Sequence, residues 1–274
     1  MHSILTTTKP SPDKVPGFWE PHYSPLSETK KIQPVSIPGF ERWEAMILEN
    51  VFSQVECQAL IDFMNKSPNF EDVSVQGMKD KKDERIGSKR TSIWCPELAD
   101  FIWRRIAHRI PGTLEFHDQD REYIATDWWQ GYVDPKQPYE LTSLSAQPIA
   151  ISPLLRFMKY GHEGQHYAHY DAAYIYPKKE FRSLKSVVIY LTTNQNAATR
   201  FIKDGQEKLP IWDRNHDDWN RPVKENEIIA TSECIAGNVL FFNHRICHDV
   251  QQYMGTDPRI IIRGDLIYEM FLDE

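Results

Sequence analysis

The sequence predicts a mainly β protein with flanking helices, and three observations carry that expectation. Two helical patterns, over about 53–66 and 96–110, come before everything else in the chain. From about residue 120 to 272, runs of Trp, Tyr, Val, Ile and Thr are broken at short intervals by Gly, Pro, Asn and Asp, as a series of short strands requires. With 274 residues, 41% of them hydrophobic and 12% aromatic, the chain can bury a full core. The expected organisation is an N-terminal arm over 1–40 followed by a single domain over 41–274.

The arm holds Pro10, Pro12, Pro16, Pro21, Pro25, Pro34 and Pro38, which exclude a long regular element. Ser53-Gln-Val-Glu56 is a capping box, and Val55, Ala59, Leu60, Phe63 and Met64 recur at helical spacing behind it. The polar stretch SVQGMKDKKDERIGSKR reads as a loop. Pro96 then opens a second helix carrying Leu98, Phe101, Ile102, Ile106 and Ile110, closed by Pro111. The clearest strands are SVVIYLTT, EIIATSEC, GNVLFFN and RIIIRGDLIYEM. The acidic, Trp-containing stretch over about 203–226 reads as an insertion between strands.

The 32 basic and 39 acidic residues leave a net charge of −7, with no basic cluster larger than the one around Lys79 and Lys82. That balance predicts no nucleic-acid partner. Cys57, Cys95, Cys234 and Cys247 form no C-x-x-C pair and read as reduced core thiols. No window reaches the roughly 18 apolar residues of a membrane span, and the first residues hold no apolar run of signal-peptide length. A cytoplasmic protein without a membrane partner is the expectation; the oligomeric state is left open.

One stretch, Tyr160 to Asp171, YGHEGQHYAHYD, offers two metal sites. His162, Glu163 and His166 spell the H-E-x-x-H of zinc hydrolases, which works only on a helix, where i and i+4 share a face. Gly161 and Gly164 oppose a helix at about 1 kcal/mol each. Tyr160, Tyr167, Tyr170 and Tyr174 favour a strand, and no third zinc ligand follows at a suitable spacing. His169 and Asp171 spell H-x-D, which needs only the end of a strand, where alternate residues project together. One more His from a distant strand completes a non-haem iron triad with three open positions. His248 is the candidate, with His244, four residues earlier, as the alternative. A 2-oxo dicarboxylate co-substrate further needs a cation for its far carboxylate inside an apolar barrel. Arg259 and Arg263 share a strand face and can each supply it.

The run Y-G-x-x-G-Q-x-Y-x-H-x-D resembles the core motif of the prolyl 4-hydroxylase-like branch of the iron(II) and 2-oxoglutarate-dependent oxygenases. NVFSQVECQALI, VVIYLTTN with AATRF, GNVLFF, the His248-Asp249-Val250 run and Arg259 follow in the family's order, over about 48–269. The resemblance implies a double-stranded β-helix, a cupin-like jelly roll with flanking helices, as a 2-oxoglutarate/Fe(II) oxygenase domain. It implies Fe(II) on His169, Asp171 and His248, and 2-oxoglutarate paired with Arg259 and assisted by the Tyr160 hydroxyl, with ascorbate in support. Two departures stand out: Ala197-Ala198 replaces a Gly-Gly pair, and the step from His248 to the basic residue is one longer, which keeps Arg263 in play.

His162 and His166 are expected to be structural or solvent-facing, Asp249 an outward neighbour, and Thr199 and Phe201 packing residues. Trp128, Trp129, Tyr174, Arg182 and Arg245 are candidates for lining a substrate pocket. Because Asp171 leaves no open position for a halide, hydroxylation is the expected outcome. The expected substrate, met together with O2, is a free amino acid, a cyclic, proline-like one included, or a small peptide-like metabolite. A peptidyl hydroxylase acting on an intracellular protein, through a groove beside 127–141, is the alternative; a zinc hydrolase and a non-catalytic barrel are more remote.

Overall fold

The computed structural model describes residues 31–40, 45–66, 71–72, 85–115, 143–171, 181–206, 215, 218, 221–244 and 246–272. Most of the N-terminal arm, residues 127–141, Trp128, Trp129, Tyr174, Arg245 and the middle of the 203–226 stretch lie outside these residues.

The first part of the chain supplies β1 (Gln33–Ser36), β2 (Ala45–Glu49), α1 (Gln54–Asn65), β3 (Glu71–Asp72), β4 (Arg85–Trp94), α2 (Pro96–Ile106), β5 (Leu114–Glu115) and β6 (Ser143–Ile151). There follow β7 (Leu154–His169), β8 (Phe181–Tyr190), β9 (Asn194–Ile202), β10 (Ile228–Cys234), β11 (Val239–Asn243), β12 (His248–Tyr253) and β13 (Arg259–Leu272). Among the described residues these strands make one curled antiparallel sheet in the order β1-β2-β11-β8-β13-β7-β12-β9-β10, with β4 beside β7 and β6 beside β13. The fold is a double-stranded β-helix with two flanking helices.

Helix α1 starts where its capping box puts it: the Ser53 amide donates to Glu56 Oε2 at 2.8 Å, and the Glu56 amide donates to Ser53 Oγ. Pro96 occupies the first turn of α2. The two helices lie on the outer face of the sheet, where Leu60 and Ile102 join Phe157, Ile189, Phe241 and Ile262 in one cluster. Burying each such side chain contributes roughly 2 kcal/mol. Val55, counted at sequence level in the apolar stripe, is exposed. Arg105 ties the helices together, pairing with Glu56 and lying over the Phe101 ring.

The inner face carries the second cluster, Tyr160, Tyr190, Phe201, Phe242, Val250 and Ile261 among others. Alternation along the strands separates the two: on β13, Ile260 and Ile262 face the helices while Arg259, Ile261 and Arg263 face inward.

Strand β7 is the corner. Its first part pairs with β13, Arg156 against Arg263 through Tyr160 against Arg259. Its last part pairs with β12, Gly164 against Tyr253 through His169 against His248. The change of partner falls at 161–164, where Glu163 has φ 63° and β4 crosses so closely that Gly87 lies against Gly164. A Cβ on Gly164 would stand 2.7 Å from the Gly161 carbonyl oxygen, so this bend needs glycine.

Two expectations need correction. The stretch read as a loop before residue 91 ends in β4, because Arg85–Trp94 finds its hydrogen bonds on β7 rather than through a pattern of its own. Strands also precede residue 120: β2 joins β11, and β4 joins β7.

Candidate active site

Strand β7 ends at His169, and Asp171 follows two residues on. Across the sheet His248 opens β12 directly opposite His169. The result is one cluster in which a ring nitrogen of each histidine and a carboxylate oxygen of Asp171 all lie within 4.8 Å of one another. His248 Nε2 is 3.6 Å from Asp171 Oδ2, and His169 Nε2 is 3.9 Å from Oδ1.

Both imidazoles are oriented by their own backbone. His169 Nδ1 lies 2.8 Å from the Tyr167 carbonyl oxygen and His248 Nδ1 lies 3.0 Å from that of Ile246. A carbonyl accepts only, so each Nδ1 carries a proton and each ring is held with its Nε2 turned to the cluster.

Asp171 is held from the inner face of the sheet. Ser186 Oγ donates to Oδ2 and Arg263 Nη2 lies 3.3 Å from Oδ1. Burial alone would raise its pKa, yet Arg263, followed by His248, His169 and His244, holds the carboxyl well below its ordinary value. It is a carboxylate at neutral pH, as a metal ligand must be.

His244 lies outside this cluster. Its Nδ1 faces Ser186 Oγ at 3.1 Å and its Nε2 faces Ser183 Oγ at 2.9 Å. Since Ser186 spends its proton on Asp171, His244 donates from Nδ1 and accepts from Ser183 at Nε2, the neutral tautomer. Burial agrees, pushing its pKa from 6.5 down to about 4.

The two arginines left open by the sequence have different surroundings. Arg263 Nη2 lies 3.0 Å from Asp265 Oδ1 and 3.3 Å from Asp171 Oδ1. Arg259 is fully buried, stacked over Tyr160 with its Cζ 5.1 Å from the ring centroid, and donates from Nη2 to Thr199 Oγ1 at 3.1 Å. Its Nε and Nη1 have no hydrogen-bond partner among the described residues. A guanidinium buried in that state is an anion site in waiting. Thr199 stands opposite Val250, two residues along β12 from His248. That is a displacement of roughly 7 Å, a span that a five-carbon keto diacid can bridge. Two imidazoles and a carboxylate, with a buried cation bonded to Thr199 two residues along the sheet, fit an iron ion with 2-oxoglutarate.

The other candidates divide. Tyr160 is fully buried beside Arg259. Phe201 packs in the inner core, whereas Thr199 does more than pack, receiving hydrogen bonds from Tyr190 and Arg259. Asp249 pairs with Arg200 on the face opposite His248. Arg182 stands in register with Tyr268, whose ring belongs to the helix-side cluster, so it points away from the interior. His162 is exposed, and its strand conformation excludes the zinc-hydrolase helix. His166 is buried and stacks on His169 with ring centroids 3.6 Å apart. Sequence reasoning missed Ser186, Arg156 and Asp265. For Asp265 a signal existed, since Arg263 and Asp265 repeat the H-x-D logic of alternate residues on one face.

A family model described as phytanoyl-CoA dioxygenase (PhyH) matches residues 45–261. No curated protein matches the chain. Three solved structures similar to it are a viral collagen prolyl hydroxylase from Paramecium Bursaria Chlorella virus-1, a prolyl-4-hydroxylase from Pseudomonas putida, and HygX from Streptomyces hygroscopicus, solved with nickel and 2-oxoglutarate. The first is 14% identical over 82% of this chain and 96% of its own, with a TM-score of 0.41. The second is 13% identical over 84% and 94%, with a TM-score of 0.42. The third is 13% identical over 82% of each chain, with a TM-score of 0.43.

Proposed function

The chain belongs to the phytanoyl-CoA dioxygenase family of iron(II)- and 2-oxoglutarate-dependent oxygenases, and from that premise we propose that it hydroxylates an unactivated C–H bond of a small metabolite, a free amino acid or a peptide-like compound. The observation that carries the site assignment is the shared interior: a His169–Asp171–His248 cluster at its accessible end and an under-partnered Arg259 deeper in. In this reading the three side chains hold Fe(II), and Arg259 with Thr199 holds the far carboxylate of 2-oxoglutarate.

Iron with 2-oxoglutarate and O2 supplies the oxidising chemistry, in which 2-oxoglutarate, O2 and R–H become succinate, CO2 and R–OH. The chain does the rest. The Nδ1–H bonds to backbone carbonyls fix both imidazoles, while Ser186 and Arg263 fix the carboxylate that joins them. Tyr160 lies against the Arg259 guanidinium, and the apolar wall of Phe201, Phe242, Val250 and Ile261 keeps water from the co-substrate.

The test is succinate release by purified protein given Fe(II), ascorbate and 2-oxoglutarate, against free amino acids, small peptides and a Pro-rich peptide. Stimulation by a small metabolite, with a product heavier by one oxygen atom, is the expected result. Stimulation by the Pro-rich peptide alone would replace the small-metabolite reading with the peptidyl one.

A further inference from the structure

Arg156 and Arg263 stand directly opposite each other in the β7–β13 register. Like charges in that relation are destabilising, and here they face the interior of the barrel. Asp265 offsets part of the repulsion: its Oδ2 accepts from Arg156 Nη1 at 3.0 Å, and its Oδ1 lies 3.0 Å from Arg263 Nη2. The other carboxylate on Arg263 is Asp171, a member of the candidate metal centre. A divalent ion held there would draw on the charge of Asp171, and the two guanidiniums would then share one carboxylate. Burial, and after it the charge of Arg263, hold Arg156 below its ordinary pKa in spite of Asp265. The chain Arg156–Asp265–Arg263–Asp171 is buried in the middle and partly exposed at its ends. Asp265 is 2% exposed, but Arg156 and Asp171 at the two ends are 21% and 15% exposed.

We propose that Arg156, backed by Arg263, is the subsite for an anionic group of the substrate, so that the compound oxidised beside Asp171 carries a carboxylate. A carboxylate there accepts from a guanidinium already held in place by Asp265, which makes a charge-assisted bond without ordering a free side chain. It also neutralises the cation that the metal leaves in excess. The subsite rests on the oxygenase reading and narrows it: an amino acid or other small acid fits, whereas an uncharged segment within a peptide leaves Arg156 short of a partner.

The experiment is an anaerobic titration that needs no turnover. Fe(II) and 2-oxoglutarate are added first, and the visible charge-transfer band of their chelate is recorded. Free amino acids are then titrated against their primary amides, and the perturbation of the band reports binding. The acids are expected to perturb it and the matching amides to bind at least about tenfold more weakly, the loss of one charge-assisted hydrogen bond. Arg156→Gln is expected to remove the preference for the acid, and Arg156→Lys to restore part of it. Each titration starts from a developed band, so a misfolded variant is recognised beforehand, and the comparison of acid with amide in the unaltered protein requires no variant. Equal binding of acid and amide, an undiminished preference in Arg156→Gln, or a developed band that no acid perturbs would overturn the subsite. A band that never develops overturns the oxygenase reading itself, and so separates the two failures.

Discussion

His169 and His248 stand opposite one another at the junction of β7 and β12, ring centroids 4.2 Å apart, each with its Nδ1 turned to the carbonyl two residues before it. Two strands remote in sequence thus present two Nε2 atoms to one carboxylate.

Removing any corner of this cluster is expected to abolish metal binding. His169→Ala, Asp171→Ala and His248→Ala should each lose Mn(II) binding, measured by electron paramagnetic resonance, together with 2-oxoglutarate turnover. His162→Ala, an exposed side chain, should keep most of both. Equal losses in all four variants would contradict the assignment of the ligands.

Arg259→Leu is expected to raise the 2-oxoglutarate requirement by about 10- to 100-fold, since the far carboxylate then enters a buried pocket without a partner. The same position gives an opposite prediction for the protein without co-substrate. Arg259 is buried with two nitrogens unpartnered among the described residues. Replacing such a cation by an apolar side chain of similar volume is commonly neutral or stabilising. Arg259→Met should therefore leave the melting temperature of the ligand-free protein unchanged or higher. A fall of several degrees would make Arg259 structural rather than a co-substrate residue.

Acid should weaken the fold in a defined window. His244 is buried with its pKa pushed from 6.5 down to about 4. Between those values the unfolded chain takes up a proton that the folded chain refuses, so this stability is complete above pH 6.5 and is lost as the pH falls toward 4. The full effect is roughly 3 kcal/mol. Asp171 and Asp265, both held below their ordinary values, add losses of the same sign at still lower pH. Urea denaturation of the metal-free protein across this range should show the decline, and His244→Asn should flatten it.

The bend in β7 separates two neighbouring glycines. Gly164→Ala puts a Cβ 2.7 Å from the Gly161 carbonyl oxygen and 3.0 Å from Tyr160 Cβ, so something must shift, and the strand leading to His169 shifts with it. A loss of roughly 1–3 kcal/mol is expected, accompanied by weaker Mn(II) binding. Gly161→Ala meets nothing nearer than 3.8 Å and should stay within about 0.5 kcal/mol of the unaltered protein. Chemical denaturation of the two variants side by side decides the matter.

What the sequence determined by itself was local. The capping box fixed the start of α1, Pro96 opened α2, and the period of two put His169 and Asp171 on one side of a strand end. It also put Arg259 and Arg263 on one face of β13, and for that reason could not separate them: residues four apart on a strand point the same way. Tertiary structure gives them different surroundings: Asp171 and Asp265 reach Arg263, and no carboxylate among the described residues reaches Arg259. In the same way register, and not periodicity, puts His248 rather than His244 opposite His169 where β12 pairs with β7. Strand β4 was hidden because its hydrogen bonds come from a neighbour's edge rather than from an alternating pattern of its own. Arg156 facing Arg263 was equally hidden. Periodicity fixes which way a side chain points along its own strand, but only register, set by pairing between distant segments, fixes what it faces.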